Sequence, residues 1–170
     1  DQVAPAPLLY ATATALAQSP SPETTLAALR AHRGTTIFDL DWRPGLWDDP
    51  GAYPALAAEA AAAADLVLGN DEQLAAAPVD PPTLVLKRGA RGAPVIEDGR
   101  ETDVGAYPVT VVNGLGAGDA FAAALGHALL RGLPLAEAAR RGSVAGGIVA
   151  SRLACSEAMP RLDELEEALG

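Results

Sequence analysis

The sequence predicts an α/β fold, a doubly wound, mostly parallel sheet flanked by helices. Short apolar runs of strand length at 8–11, 35–40, 65–68 and 83–87 alternate with alanine- and leucine-rich stretches of helical length, the pattern of successive strand–helix–strand units. The stretch 109–131 compresses the same motif: a β-branched run, a loop with three alternating glycines (Gly114, Gly116, Gly118), Asp119, and an alanine- and leucine-rich helix. No internal repeat and no long linker divides the 170 residues, and an apolar share of 49% suffices for one globular core.

Taken in order, Leu8-Leu9-Tyr10-Ala11 is expected as a first parallel strand. Ser19-Pro20-Ser21-Pro22-Glu23 starts a helix that runs to His32 and ends at Gly34. Residues 35–40 form a buried strand, 52–64 an alanine-rich helix that must pack closely, and 65–68 the next strand. Asn70 suits a helix N-cap for a short segment to Ala77. After the rigid Asp80-Pro81-Pro82 break, residues 83–87 make a strand that turns through Arg88-Gly89-Ala90-Arg91-Gly92 into 93–97, with Asp98-Gly99 as the following turn. Residues 109–112 are expected as a strand. A helix from Leu135 is expected to break around Gly142 and resume to about Leu153, and Leu162, Leu165 and Leu169 mark an amphipathic last helix.

The glycine loop points to an anion. Glycines let backbone approach a ligand, and the first turn of a helix presents unpaired N–H groups at the positive end of its dipole. A phosphate is the expected tenant, and Asp119 would stand beside it as a base, the arrangement that phosphoryl transfer to an alcohol requires. No Gly-Lys-Ser/Thr follows, so this is not a Walker loop. The third glycine is misplaced for a dinucleotide fingerprint, and no acid-terminated second strand follows the helix.

Gly116-Ala117-Gly118-Asp119-Ala120-Phe121 resembles the C-terminal signature of the ribokinase-like (PfkB) carbohydrate kinases. Three further segments resemble the sugar-acid kinases of that family: Phe38-Asp39-Leu40-Asp41-Trp42-Arg43-Pro44, Leu86-Lys87-Arg88-Gly89, and the stretch 151–160. The likeness covers nearly the whole chain. It implies a ribokinase-like sheet lacking the N-terminal strands and lid, so that residues 1–170 are the C-terminal part of a single kinase domain. The activity it implies is ATP-dependent phosphorylation of a sugar acid's primary hydroxyl, with 5-dehydro-2-deoxy-D-gluconate of myo-inositol catabolism as the favoured acceptor. Alternatives are 2-keto-3-deoxygluconate, fructose, or an inactive nucleotide-binding module.

The resemblance also assigns residues. Asp119 is the base, and Gly116, Ala117 and Gly118 supply the amides for the transferred group. Asp41 and Arg43 line the cleft near the phosphates, with Arg43 either a two-point anion clamp or half of an ordinary Asp–Arg pair. Trp42 and Trp47 are expected in packing. Lys87, Arg88, Gly89, Arg91 and Gly92 belong to a turn that passes over ATP, although Arg91 suits a solvated charge equally well. Ser143 and Gly146 leave room for adenine. Asn70 matches an Asn-x-x-Glu motif that organises Mg²⁺ through water, but Gln73 replaces the glutamate. Either Glu72 or Asp71 substitutes, or metal binding is weaker than usual; otherwise Asn70 is only a cap. Asn113 stands where most of the family has aspartate, which weakens a monovalent-cation site built on that carboxylate. The full-length protein is expected to be a homo-oligomer.

The formal charge of −10 argues against nucleic acid or an anionic membrane as partner. No transmembrane stretch or signal peptide is visible, and a single cysteine, Cys155, excludes an internal disulfide, as in cytoplasmic proteins. Cys155 is expected as a small buried apolar residue. His32 and His127 have no partners at metal or triad spacing and receive no role.

Overall fold

The computed structural model describes residue 3 and residues 5–170. Its strands are β1 (Leu8–Thr12), β2 (Thr35–Asp39), β3 (Leu66–Gly69), β4 (Thr83–Leu86), β5 (Val95–Glu97) and β6 (Arg100–Thr102). They form a six-stranded sheet in the order β1-β2-β3-β4-β5-β6. β1 to β4 pair in parallel, with Tyr10 opposite Ile37, Phe38 opposite Val67 and Leu68 opposite Val85. The helices are α1 (Ser21–Ala31), α2 (Tyr53–Ala62), α3 (Asp71–Ala76), α4 (Ala117–Leu130), α5 (Leu135–Ala150) and α6 (Leu162–Leu169). The mostly parallel sheet flanked by helices that is expected from the sequence is observed, with its strands in simple sequential order.

The chain divides into two compact units, one through Leu86 together with Ile96–Gly99, the other Lys87–Val95 with Arg100–Gly170. In the first, the central strands β2 and β3 are buried nearly throughout, because crossover helices cover a parallel sheet. Leu26 and Leu29 of α1 and Ala57, Ala60 and Ala61 of α2 pack with Phe38, Leu40 and Val67 in one apolar cluster. The alanines of α2 are small because the helix lies close to its neighbours. The chain leaves β2 through an aromatic cluster: Trp42 stacks on Tyr53 with centroids 4.1 Å apart, and Trp47 meets the same ring edge-on at 5.3 Å. The tryptophans pack, as expected.

The second unit is built on the α4–α5 pair, where small residues let the helices approach. A Cβ on Gly142 would lie 3.0 Å from the Phe121 ring, and one on Gly146 would lie 2.9 Å from the Ala117 carbonyl. Here the expectation of a broken helix is corrected. α5 runs unbroken from Leu135 to Ala150, and Gly142 is a contact point for Phe121 inside it. A second correction concerns residues 109–112, which are not a strand. Val111 and Val112 are 66% and 52% exposed. The Val112 and Asn113 amides donate not to a neighbouring strand but to the Ala150 carbonyl at the end of α5, at 2.8 and 3.1 Å.

Candidate active site

The start of α4 shows how the glycine loop is made. Gly116 is the N-cap with φ 84°, a left-handed conformation that glycine alone adopts without strain. A Cβ there would lie 2.7 Å from Cys155 Sγ and 3.2 Å from Met159 Cε, so packing forbids a side chain as firmly as the backbone does. Cys155 thus fills space against the loop. The helical ladder begins with Ala120 N–H donating to Gly116 O at 3.0 Å. The amides of Gly118 and Asp119 precede that first i→i−4 bond and face outward at the positive end of the dipole. Gly118 is therefore in the first turn of the helix rather than in the loop. Asp119 occupies the same turn, exposed to solvent.

Ala117 and Gly118 line a cavity of about 590 Å³ with Lys87, Gly89, Gly92, Ser143 and Gly146. Seven of the residues singled out from sequence therefore meet at one cavity. Its walls include Tyr107, Phe121, Val111 and Gly147, giving an apolar slot with a few polar groups, the usual character of a small-molecule site. Tyr107 and Gly147 were missed. The Tyr107 ring lies over Gly147, 2.9 Å from where a Cβ would be, and the adjacent pair Gly146-Gly147 was the available signal.

The turn 88–92 bends as a single 3-10 turn over Gly89–Arg91, closed by Arg88 N–H to Gly92 O at 2.9 Å. Its two glycines differ. Gly89 (φ 56°) has open space where a Cβ would project, whereas at Gly92 (φ 89°) a Cβ would lie 2.2 Å from the Val104 carbonyl. Gly89 leaves room for a ligand; Gly92 leaves room for the chain itself. Arg88 and Arg91 are in this turn but outside the cavity lining.

The candidates of the first unit stand at the carboxyl end of β2. Asp39 is buried at 3% exposure and accepts from Tyr10 Oη (3.1 Å) and from the Asp41 amide (3.2 Å). Asp41 accepts from Thr14 Oγ1 at 2.5 Å and from Arg43 Nε at 2.9 Å. Arg43 is thus in the Asp–Arg pair foreseen as its alternative role, with more than half of its side chain exposed. Tyr53 donates its hydroxyl to the Leu40 carbonyl at 2.8 Å. Burial, then the charges of Asp39 and Asp41, push its pKa well above the usual phenol value, so it remains a donor.

Asn70 is the N-cap of α3. Its Oδ1 accepts from Gln73 N–H at 2.8 Å and the Gln73 Oε1 accepts from Asn70 N–H at 3.0 Å, a reciprocal capping box. Gln73 is engaged there, and Glu72 is exposed in the first turn of α3. Among the described residues, no group of three or more His, Cys, Asp or Glu side chains is placed to hold a metal ion. In the same residues no helix is long and apolar enough to cross a membrane.

The sheet and the glycine-led helix start define an α/β protein of ribokinase-like architecture. Residues 1–162 match the pfkB family carbohydrate kinases, and the chain belongs to that family. It is 34% identical to 5-dehydro-2-deoxygluconokinase of Geobacillus thermodenitrificans over 98% of its own length and 56% of the relative's. The corresponding figures for the Bacillus subtilis enzyme of that name are 32%, 99% and 58%. The chain therefore spans little more than half the length of these curated relatives. Among solved structures it superposes on aminoimidazole riboside kinase of Salmonella enterica, complexed with aminoimidazole riboside and an ATP analog, with TM-score 0.85 and 26% identity; the match covers 95% of this chain and 62% of that one. The fold recurs in fructokinase of Vibrio cholerae bound to fructose, ADP and calcium ion, with TM-score 0.88, 24% identity, and coverage of 96% and 60%.

Proposed function

We propose that the chain is the nucleotide- and phosphate-handling C-terminal part of an ATP-dependent sugar-acid kinase, a single ribokinase-like domain when complete. The observation that carries this is the exposed Asp119 carboxylate in the first turn of α4, beside outward amides and next to the cavity that Ala117 and Gly118 line. ATP enters that cavity with its base between the small residues of α5 and the Tyr107 side, and its phosphates toward Lys87 and the 116–118 amides. Asp119 takes the proton from the acceptor's primary hydroxyl as that oxygen bonds to the γ-phosphorus. The bond to the β–γ bridging oxygen breaks, and ADP leaves. The amides of Gly116 and Gly118 hold the charge of the transferred group without having to reorganise, while the Ala117 amide is already given to Gly114 O at 3.3 Å.

Bound with the nucleotide, Mg²⁺ supplies charge neutralisation of the phosphates. Glu72 would be the carboxylate serving such an ion through water, since Gln73 is committed to its capping box. Arg43, whose Nε donates to Asp41 at 2.9 Å, is proposed as an anion-binding side chain. The similarity to two 5-dehydro-2-deoxygluconokinases supports 5-dehydro-2-deoxy-D-gluconate as acceptor. The whole protein would be a cytoplasmic homo-oligomer.

The test is phosphoryl transfer by a full-length protein containing this chain, across 5-dehydro-2-deoxygluconate, 2-keto-3-deoxygluconate and fructose. Turnover highest with the first supports the assignment, and turnover confined to another acceptor moves it within the family. The engaged Gln73 favours one second reading, a nucleotide-binding module without transfer; ATP binding without turnover on any acceptor would establish it.

A further inference from the structure

Asn113 ends the segment that feeds the glycine loop, and both halves of its amide are engaged. Nδ2 donates to the Leu153 carbonyl at 2.9 Å, and Oδ1 accepts from Leu115 N–H at 3.0 Å. Both partners are main-chain groups of fixed polarity, so only one orientation of the amide satisfies them. The stretch after α5 that presents Leu153 is itself fastened. Arg152 donates to the Ala158 carbonyl at 3.0 Å and pairs with Glu164 at 2.7 Å, while Cys155 and Met159 lie against Gly116. Asn113 therefore ties the approach to the loop to a braced carbonyl.

A carboxylate at this position would put an oxygen opposite the Leu153 carbonyl with no proton between them, a pair of acceptors that a cation relieves. In this chain an N–H occupies that line. The donor set does not fit a monovalent cation, because the amide turns its hydrogens toward the Leu153 carbonyl, where an ion needs lone pairs.

We infer that Asn113 is a positioning residue standing in for a monovalent cation, so that the loop's geometry and its hold on nucleotide phosphates are independent of K⁺. The inference rests on the proposed function only for its nucleotide arm; the stability arm stands without it.

The experiment compares thermal unfolding and ADP titration of this chain in potassium chloride and in tetramethylammonium chloride at equal ionic strength, the larger ion being unable to enter such a site. Wild-type chain should show the same Tm and the same ADP affinity in both salts. Asn113→Asp should unfold about 2–4 °C lower in tetramethylammonium, since two acceptors face one another, and regain the difference saturably with K⁺. Asn113→Ala should be lowered in both salts, with no rescue. A saturable requirement of the wild type for K⁺ overturns the inference, as does an Asn113→Asp chain that matches wild type in both salts. Should that variant not fold, the wild-type comparison decides alone. Absence of ADP binding in either salt counts against the proposed function and leaves the Tm comparison intact.

Discussion

The carboxyl end of β2 and the amino end of α4 are both polar ends of regular elements, and the chain treats them oppositely. At the first, the carboxylates and the buried phenol meet partners within the chain: Asp39 holds Tyr10 and the Asp41 amide, Asp41 holds Thr14 and Arg43, and Tyr53 closes on Leu40 O. At the second, Asp119 is exposed and two amides precede the first helical bond. A polar group satisfied internally contributes to stability, whereas one held open contributes to binding and accepts a cost in stability. Substitutions in the two places should therefore separate in what they change.

The largest effect is expected at Asp119. Asp119→Asn keeps the size and removes the proposed base, so turnover of the proposed full-length kinase should fall by about 10²–10⁴ while ADP affinity, measured by titration calorimetry, stays close to wild type. Unaltered turnover would remove Asp119 from the chemistry. Gly116→Ala comes next and acts on both properties. Its Cβ must enter a φ of 84° and meet Cys155 Sγ at 2.7 Å, which should cost about 1–3 kcal/mol in denaturant unfolding and weaken ADP binding as the loop shifts. Retained affinity with lost stability would show that the loop's backbone shape is not what holds the nucleotide.

How much of this was legible in the sequence follows from which interactions are local. The glycine-led start of α4 and the Asp98-Gly99 turn, with positive φ of 50° and 77°, are set by residue type within a few positions, and both were legible there. Residues 109–112 were not. Four β-branched or apolar residues look alike whether or not a neighbouring strand exists, and here the amides of Val112 and Asn113 went to Ala150 instead. Gly142 looks like a helix break in the sequence because its reason, the ring of Phe121, is 21 positions away and invisible locally. Asn70 and Gln73 teach the complement. Three-residue spacing suited a capping box as well as a metal motif, and replacing the glutamate by an amide kept the first while weakening the case for the second.

Tyr53→Phe tests the satisfied region. It leaves the Leu40 carbonyl buried without its donor, which should cost about 1–3 kcal/mol in unfolding free energy. ADP affinity should not change, because the cavity lies wholly in residues of the other unit. A loss of affinity comparable to that of Gly116→Ala would end the separation between a stability region and a binding region.

The smallest effect is a pH dependence at the far surface of α5. Glu137 is held below the ordinary glutamate range first by its hydrogen bond to Arg140 and then by the charges of Arg140 and Arg141; Glu166 is lowered likewise by Arg141, at 2.6 Å. Because the folded pKa is depressed, the contribution is fully present above the unfolded value of about 4.3 and is lost as pH falls through the lower folded value. Arg141→Ala removes the shared partner, so its deficit in Tm relative to wild type should be constant from neutral pH to about 5 and shrink below about 4. Glu166 is half exposed and Glu137 partly so, and their charges are screened, so the deficit should be small and smaller still in high salt. A deficit unchanged down to pH 3 would mean that Arg141 acts through the packing of its largely buried side chain rather than through its charge.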